Sequence, residues 1–242
     1  MRIPRIYTSQ TLAENGDYQL EAGPSQHLCR ALRMGPGDSL MLFDGTGGQY
    51  AATITEAGKK SVSVRTGALR ATNTESPLPL HLGIAVSRGE RMDWVVQKAS
   101  ELGVTEITPL FTARVEVKLA GERAQKKLRH WQQVAISACE QSGRDVLPTI
   151  HAPSSVSDWL SDTHAECKLV LHHRADTGER NQPPENVALL VGPEGGLSAD
   201  EITAAEQAGF QSLRLGPRVL RTETAPLAAI AIVQARWGDM AS

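Results

Sequence analysis

The sequence predicts an α/β fold in which a small β-rich domain precedes a larger domain built on a largely parallel sheet. Residues 1 to about 70 contain short alternating strands separated by Gly-Pro and Asp-Gly turns, a pattern typical of a small barrel. From Leu80 onward, strands and helices alternate, which favours a parallel sheet covered by helices. The polar, proline-containing segment 71–79 lies between the two patterns. We therefore predict two domains, residues 1–72 and residues 73–242.

Alternation and helical periodicity predict the individual elements. In the first domain the predicted strands are residues 39–43, 49–54 and 61–64, and a short helix covers residues 27–33. In the second domain the predicted strands are residues 80–86, 106–111, 168–172, 187–191 and 212–215. The predicted helices there are residues 92–102, 122–142, 156–161, 199–208 and 223–237. Trp131, Val134, Ala135 and Ala138 form the apolar stripe of a helix that packs on a sheet.

The composition is that of a globular protein, with 40% hydrophobic and 21% charged residues. The longest apolar run, residues 225–235, is interrupted by Pro226 and Gln234 and is too short to cross a bilayer. Residues 1–7 lack the apolar stretch of a signal peptide. We therefore expect a cytoplasmic protein with no membrane partner.

The cysteines and histidines predict neither disulfides nor a metal site. Cys29, Cys139 and Cys167 are far apart and show no C-x-x-C spacing. His172 and His173 are neighbours, but adjacent residues in a strand point to opposite faces of the sheet.

Two glycine-containing segments near the C-terminus, residues 190–197 and 215–225, predict a ligand pocket. Each lies where an apolar run ends and a helical pattern begins, and Gly192, Gly195 and Gly196 allow a ligand to approach the backbone closely. Loops at the carboxyl ends of strands are where open α/β sheets bind small molecules. The alternative is that both segments are ordinary tight turns after buried strands. Neither segment has the spacing of a dinucleotide fingerprint or a P-loop.

Polar residues after both segments are suited to begin helices. Ser198 is a good N-cap after the first segment. Thr222, Glu223 and Thr224 are expected to open the last helix as side-chain caps. The helix that follows is apolar on nearly all sides, so it is either a central buried helix or shared with a second subunit. We favour a homodimer.

Positive charge is concentrated in one part of the chain although the net charge is −2. Residues 111–144 contain seven basic and three acidic residues. This local excess of four positive charges either contacts phosphates or forms a solvated helix face.

Further motifs occur at residues 87–90 (Ser-Arg-Gly-Glu), 98–104 and 138–144 (Ala-Cys-Glu-Gln-Ser-Gly-Arg). Together with the glycine segments they closely resemble the RsmE family of ribosomal RNA uridine-N3 methyltransferases, which belongs to the SPOUT superfamily. The similarity spans essentially the whole chain, and residues 192–198 and 220–224 carry its most specific signatures. Residues 1–7 and 32–38 look like the family's N-terminal PUA-like RNA-binding domain. The resemblance implies that the C-terminal domain contains a deep trefoil knot.

The resemblance also implies that S-adenosylmethionine binds between the knot loops. The adenosyl group is expected against the backbone of residues 215–220, with residues 222–225 closing the site. The implied cofactor-binding set is Leu171, His172, Gly192, Pro193, Glu194, Gly195, Gly196, Leu215, Gly216, Leu220, Arg221, Thr222, Thr224 and Ala225. This chain departs from the family after the histidine of the third segment, where the family tends to have proline and this chain has His173 before Arg174, and at Ser142, where a cysteine is common.

The implied reaction is direct in-line methyl transfer to uridine N3 in small-subunit (16S) ribosomal RNA, carried out by a homodimer without a metal. Arg221 is the first choice to stabilise negative charge on the uracil carbonyl oxygens, because an arginine stays protonated. Glu223 or Glu140 is expected to accept the N3 proton, although each is equally suited to be a structural cap or an ion-pair partner.

Ribosomal RNA, free or in the small subunit, is the expected partner. The candidate RNA contacts are Arg2, Arg5, Arg30, Arg33, Arg88, Lys126, Lys127, Arg129 and Arg144, together with Lys59 and Lys60. Two alternatives stay open: another SPOUT activity such as ribose 2′-O methylation, or an RNA-binding module whose small-molecule pocket is not catalytic. A metabolic enzyme of the Rossmann type is disfavoured because the dinucleotide fingerprint is missing.

Overall fold

The computed structural model describes residues 3–58, 61–115, 119–172 and 182–240. The chain divides into two compact units, one of residues 1–75 with 139–147 and one of residues 76–138 with 148–242. The sequence predicted a division between residues 72 and 73, and it assigned all of residues 139–147 to the second domain. In the structure that segment belongs to the first unit.

The first unit is built on a five-stranded sheet with the strand order β1-β3-β4-β5-β2. Its elements are β1 (Arg5–Tyr7), β2 (Asp17–Gln19), α1 (Ala22–Gln26), a π-helical turn (His27–Ala31), β3 (Ser39–Phe43), β4 (Gln49–Ala57) and β5 (Val62–Arg70). β1 pairs with β3 in parallel, and the other pairs are antiparallel. The core of the unit is aliphatic and includes Leu28, Leu42 and Ile54.

Two expectations for the first unit need correction. The helix predicted over residues 27–33 begins earlier, at Ala22, and its second half is a π-helical turn that ends at Ala31. The predicted barrel is not closed by strand pairing within the described residues, because β1 and β2 lie at opposite edges of the sheet. Each of these edge strands is only 3 residues long.

Buried ion pairs hold residues 139–147 in the first unit. Arg5 donates hydrogen bonds to the carboxylate of Asp145 and to the carbonyl oxygen of Cys139, the latter at 2.6 Å. The Asp145 carboxylate, which is fully buried, also accepts a hydrogen bond from Thr72. Arg144 is equally buried and pairs with Glu75 at 2.8 Å. These contacts join the segment to both ends of residues 1–75.

The second unit contains a mainly parallel sheet with the strand order β12-β10-β11-β6-β7-β8. Its strands are β6 (Leu80–Ala85), β7 (Glu106–Phe111), β8 (Thr149–Ile150), β9 (Ser154–Ser155), β10 (Cys167–Leu171), β11 (Val187–Val191) and β12 (Gln211–Leu213). Its helices are α2 (Arg91–Glu101), α3 (Gly121–Ser142), α4 (Val156–Asp162), α5 (Ala199–Gln207) and α6 (Thr224–Trp237). The last turn of α3, from residue 139 onward, belongs to the first unit. All pairs among the described strands of this sheet are parallel, as the sequence predicted.

Helices cover both faces of this sheet. One core contains residues of α2, α3 and α6, including Val95, Trp131 and Ile230, packed on alternate residues of β6 and β11. The opposite core contains residues of α4 and α5, including Trp159 and Ala205. The alternation follows from strand geometry, since successive side chains point to opposite faces.

The last helix is less enclosed than its composition suggested. Ala229, Ile230 and Val233 are buried, whereas Ile232 is 43% exposed. Gln234 is fully buried, and its side chain accepts from Ser76 at 2.7 Å and donates to the carbonyl oxygen of Leu102 at 3.0 Å. Among the described residues, no helix is both long enough and apolar enough to span a membrane.

Replacing Asp145 with alanine is expected to destabilise the protein strongly. The change leaves the Arg5 guanidinium buried without its carboxylate, and removing one partner of a buried ion pair costs about 3–5 kcal/mol. The measurement is the free energy of unfolding from urea denaturation. Asp17→Ala is the matched control, because Asp17 pairs with Arg65 in the same unit but both side chains are exposed. Equal destabilisation by the two changes would contradict the structural role of Asp145.

Candidate active site

The predicted pocket segments meet at the carboxyl edge of the second unit's sheet. The two glycine segments follow β11 and β12, and β10 lies between these strands. β10 is parallel to both neighbours, so Leu171 and His172 at its end lie between the two glycine segments. Three segments that are distant in the sequence therefore surround one region of the sheet edge.

The first glycine segment forms a tight turn directly after β11. Gly196 has a φ of +70°, a conformation that favours glycine, and its N–H donates to the carbonyl oxygen of Pro193 at 2.8 Å. A Cβ atom on Gly192 would lie 3.0 Å from the backbone nitrogen of Leu197. The glycines at both positions are thus required by the turn, whether or not a ligand is bound.

A capping box fixes the end of the first segment. The Ser198 side chain accepts from the N–H of Glu201, as predicted for an N-cap, and the Glu201 carboxylate accepts from the N–H of Ser198 at 2.8 Å. Glu201 also accepts from the N–H of Ala113, which follows β7, at 2.7 Å. One carboxylate thereby joins the turn after β11 to the turn after β7.

The second glycine segment exposes its main chain. Gly216 has a φ of +87°, and a Cβ atom there would meet no other atom within 4 Å. Leu215 and Leu220 are half-buried, while Val219 between them is 97% exposed. Open main chain flanked by anchored leucines is a suitable surface for a flat ligand to lie against.

The last helix begins without the predicted side-chain caps. Glu223 occupies the N-cap position, but its side chain makes no capping hydrogen bond. Instead, the N–H groups of Thr224 and Ala225 both donate to the carbonyl oxygen of Arg221 at 2.9 Å. Thr222 is buried, whereas the Arg221 side chain is exposed. A backbone turn therefore orients Arg221 and leaves its guanidinium available to a ligand.

Arg91, the first residue of α2, connects the two segments. Its guanidinium lies 2.7 Å from the carboxylate of Glu194 in the first segment and 4.0 Å from that of Glu223 at the start of α6. Two of the three predicted site glutamates, Glu194 and Glu223, thus share one cation. All three side chains are partly exposed, so the contact is screened by water and contributes more to orientation than to stability.

A cavity of about 390 Å³ adjoins the first glycine segment. Its lining consists of Val86, Arg88, Arg91, Arg114, Val115, Glu194 and Gly195. Arg114 donates a hydrogen bond to the carbonyl oxygen of Gly195. Three arginines and one glutamate give the cavity a positive charge, which suits a phosphate-bearing ligand.

The remaining predicted catalytic residue, Glu140, belongs to the first unit. Its carboxylate accepts a hydrogen bond from the N–H of Tyr7 at 3.0 Å, which is a structural role. Burial raises the pKa of Glu140, so proton binding there is easier than at an exposed glutamate.

The predicted RNA contacts divide into exposed and structural arginines. Arg5 forms an ion pair with Asp145, and Arg144 forms one with Glu75. Because both arginine side chains are largely buried in these pairs, the prediction that they contact RNA was wrong. Arg30, Arg33, Arg88, Lys126 and Arg129 are exposed, and Lys127 is half-buried. Arg2, Lys59, Lys60, His173 and Arg174 lie outside the described residues.

Sequence reasoning missed Arg91, Arg114 and Glu201 as parts of the site. Their positions in the sequence could have identified them. Arg114 lies shortly after the carboxyl end of a predicted parallel strand, and Arg91 and Glu201 lie at the starts of helices that follow such strands. Such residues meet at one sheet edge. Their individual partners, however, depend on side-chain geometry that strand positions do not provide.

Comparison with known proteins agrees with this architecture. Residues 74–234 match the family described as RNA methyltransferase domain, and residues 25–66 match the family described as RNA methyltransferase PUA domain. The two matches fall in the two predicted domains. They define the class as an RNA methyltransferase with a PUA domain.

Similar proteins cover nearly the whole chain. Ribosomal RNA small subunit methyltransferase E of Buchnera aphidicola (subsp. Acyrthosiphon pisum) is 35% identical over 98% of this chain and 95% of its own. The crystal structure of the enzyme of the same name from Neisseria gonorrhoeae, bound to S-adenosylmethionine, has a TM-score of 0.94 and 40% identity, covering 99% of this chain and 100% of that one. The structure of a Legionella pneumophila protein with the same cofactor bound has a TM-score of 0.95 and 41% identity, with equal coverage.

The chain therefore belongs to the ribosomal RNA small subunit methyltransferase E family, as the sequence motifs indicated.

Proposed function

We propose that this protein uses S-adenosylmethionine to methylate N3 of a uridine in small-subunit ribosomal RNA. The observation that carries the proposal is the meeting of the two glycine segments and the end of β10 at one sheet edge. Two similar structures were determined with S-adenosylmethionine bound. The choice of uridine N3 is supported by the resemblance of residues 192–198 and 220–224 to the signatures of the RsmE family.

The residues of the site fit this cofactor. Gly216 leaves open space beside the main chain for a planar adenine, and Leu215 and Leu220 supply apolar contacts on either side. Glu194 and Glu223 place negative charge near the sheet edge, which suits a cationic sulfonium. The fit concerns two parts of the cofactor, the flat adenine ring and the charged sulfonium.

When bound, S-adenosylmethionine supplies the methyl group, which the uracil N3 takes from the sulfonium carbon–sulfur bond as that bond breaks. The chain's own residues must then remove the N3 proton and stabilise the charge that spreads to the uracil carbonyl oxygens. Arg221 is proposed for the second role, because its backbone is fixed by the turn that precedes α6 and its side chain is exposed. Its fork of N–H donors suits carbonyl oxygens.

Glu223 is proposed as the residue that accepts the N3 proton. It lies two positions from Arg221, and its carboxylate makes no capping hydrogen bond. The Arg91 guanidinium lies 4.0 Å from this carboxylate. Glu140 is less suited to the role, because it already accepts the N–H of Tyr7.

The reaction can be tested by mapping its product. Small ribosomal subunits and their naked RNA, both lacking the modification, are incubated with the protein and cofactor labelled in the methyl group. We expect label in N3-methyluridine at one position. Label on a ribose 2′-oxygen would overturn the choice of N3, and cofactor binding without any transfer would identify a binding module instead of an enzyme.

Arg221→Ala is expected to retain cofactor binding and to lose turnover. Removing one donor that stabilises developing negative charge lowers kcat by about 100-fold to 1000-fold. Calorimetric titration with S-adenosylmethionine and single-turnover transfer to RNA measure the two properties separately. Arg214→Ala, an exposed arginine just before the second glycine segment, is the matched control. Unaltered turnover of Arg221→Ala would remove this residue from the mechanism.

We propose that the exposed basic residues of α3 contact RNA phosphates. Lys126 and Arg129 are exposed and Lys127 is half-buried near the start of this helix. Phosphate contacts position RNA without selecting its sequence. The arginine-lined cavity beside the first glycine segment is proposed to hold a phosphate closer to the target base.

Replacing Lys126, Lys127 and Arg129 together with alanine is expected to weaken binding of all RNA sequences alike. Three lost phosphate contacts reduce the slope of log K against log salt by about 2. The measurement is RNA affinity by fluorescence anisotropy across a salt series. A control triple variant replaces Gln125, Gln132 and Gln133, which are exposed on the same helix. An unchanged slope would assign the basic residues to a solvated helix face.

We also propose that the protein is a homodimer. Trp94 on α2 and Ile232 on α6 are 50% and 43% exposed, and these two helices pack against each other. Large apolar side chains exposed on two adjoining helices support a subunit interface at this place. The trefoil knot implied by the family resemblance is likewise a proposal for this chain, supported by the position of β10 between β11 and β12.

A further inference from the structure

A second cavity, of about 570 Å³, opens at the amino edge of the second unit's sheet. This edge is opposite the one that carries the glycine segments. The cavity is lined by the first residues of β6, β7 and β11 and by the end of α4. Its polar lining includes three histidines and two carboxylates: His81, His151, His164, Glu106 and Asp162. The proposed methyl transfer uses none of these residues.

Strand register brings three of these side chains to one face of the sheet. His81 of β6 is the direct partner of Glu106 in the parallel pair with β7. Glu106 is in turn the partner of Thr149 in β8, and His151 lies two residues beyond Thr149. Because residues two apart in extended chain point to the same side, His151 faces the same way as Glu106. The N–H of His151 donates to the carbonyl oxygen of Ile107 at 2.9 Å, which continues the pairing past β8.

The three side chains converge closely. Nε2 of His151 lies 2.7 Å from a carboxylate oxygen of Glu106, and the imidazole rings of His81 and His151 are 5.4 Å apart. One ligating atom from each of His81, Glu106 and His151 lies within 4.8 Å of the other two. It is the sole group of three or more such residues found in the described part of the chain.

His81 is held firmly while the other two side chains have room to move. The indole N–H of Trp159 donates to Nε2 of His81 at 3.2 Å, and the hydroxyl of Thr108 lies 2.8 Å from the same atom. The side chains of His151 and Glu106 are 39% and 45% exposed. Around a tetrahedral ion with bonds of about 2.1 Å, ligand atoms lie about 3.4 Å apart. To reach that spacing, Nε2 of His151 and the Glu106 carboxylate oxygen, now 2.7 Å apart, must separate slightly while both stay beside His81.

We propose that His81, Glu106 and His151 bind a divalent transition-metal cation at the amino edge of the sheet. Two imidazoles and one carboxylate form a ligand set that suits Zn²⁺ and its first-row neighbours, whereas Mg²⁺ and Ca²⁺ require mainly oxygen ligands. The sequence predicted no metal site, because the cysteines lack C-x-x-C spacing and the adjacent His172 and His173 point to opposite faces of a strand; residues that are distant in the sequence were not compared. The bound cation links β6, β7 and the segment after β8, and water fills its open coordination positions.

The test uses the full-length protein without an affinity tag, freed of metal by chelation. Zn²⁺ alone is titrated by calorimetry into the original protein and into two variants, His151→Ala and Glu106→Gln. Glu106→Gln keeps a side chain that can hydrogen bond to His151, so it separates metal binding from the loss of that contact. Thermal melting in the absence of metal reports whether each variant is folded.

His130→Ala is the matched control. His130 pairs with Asp93 at the same distance of 2.7 Å and is comparably exposed, but this pair lacks a third ligating residue in the described part of the chain. Cys29→Ser is a second control, because Cys29 is a half-buried thiol that can bind Zn²⁺ by itself.

We expect one Zn²⁺ per chain in the original protein and in both controls, with no saturable binding of Mg²⁺. Affinity should fall by about tenfold or more in His151→Ala and in Glu106→Gln, which corresponds to at least about 1.4 kcal/mol. Zn²⁺ should also raise the melting temperature of the original protein, because it binds the folded state. The proposal is overturned if the original protein shows no binding at one ion per chain, if both variants bind as His130→Ala does, or if Cys29→Ser abolishes binding.

Discussion

The parallel alignment of the strands in the second unit is the constraint on which the proposed site depends. Because all described strands of this sheet run in one direction, the segments after β6, β7, β10, β11 and β12 leave from one edge. Ion pairs and hydrogen bonds then connect them: Arg91 reaches Glu194 and Glu223, and Glu201 reaches the turn after β7. A shift of one residue in any pair would turn the side chains near that edge to the wrong face.

The same alignment gives the two edges of the sheet different chemistry. The carboxyl edge carries glycines, arginines and open main chain, which suit a nucleotide-like ligand and a phosphate. The amino edge carries imidazoles and carboxylates, which suit a cation. Since the two groups lie at opposite ends of β6 and β7, a change at one edge can be made without altering residues of the other.

Much of the fold was accessible from the sequence because long apolar runs and amphipathic stripes report burial directly. The strands at residues 106–111 and 187–191 and the stripe of Trp131 and Ala135 agree with the structure. β1, β2, β8 and β9 were missed, since each has only two or three residues and leaves no periodic pattern. The glycine segments were located correctly, because a glycine indicates a turn from its own position in the sequence.

Arg5 and Arg144 were wrongly assigned to RNA binding. The sequence does not distinguish a buried arginine from an exposed one until the carboxylate that pairs with it is known.

Residues 139–147 have a consequence for how the protein is made. On the ribosome, residues 3–75 leave the exit tunnel well before Arg144 and Asp145 are synthesised. Until then, Arg5, Thr72 and Glu75 lack the side chains to which they bind in the folded protein. N-terminal domains usually fold first during synthesis. Here the N-terminal unit reaches its final form only after β6, α2 and β7 of the other unit have already emerged. The two units therefore mature in an interleaved order, and cleavage between residues 75 and 76 would not yield two complete pieces.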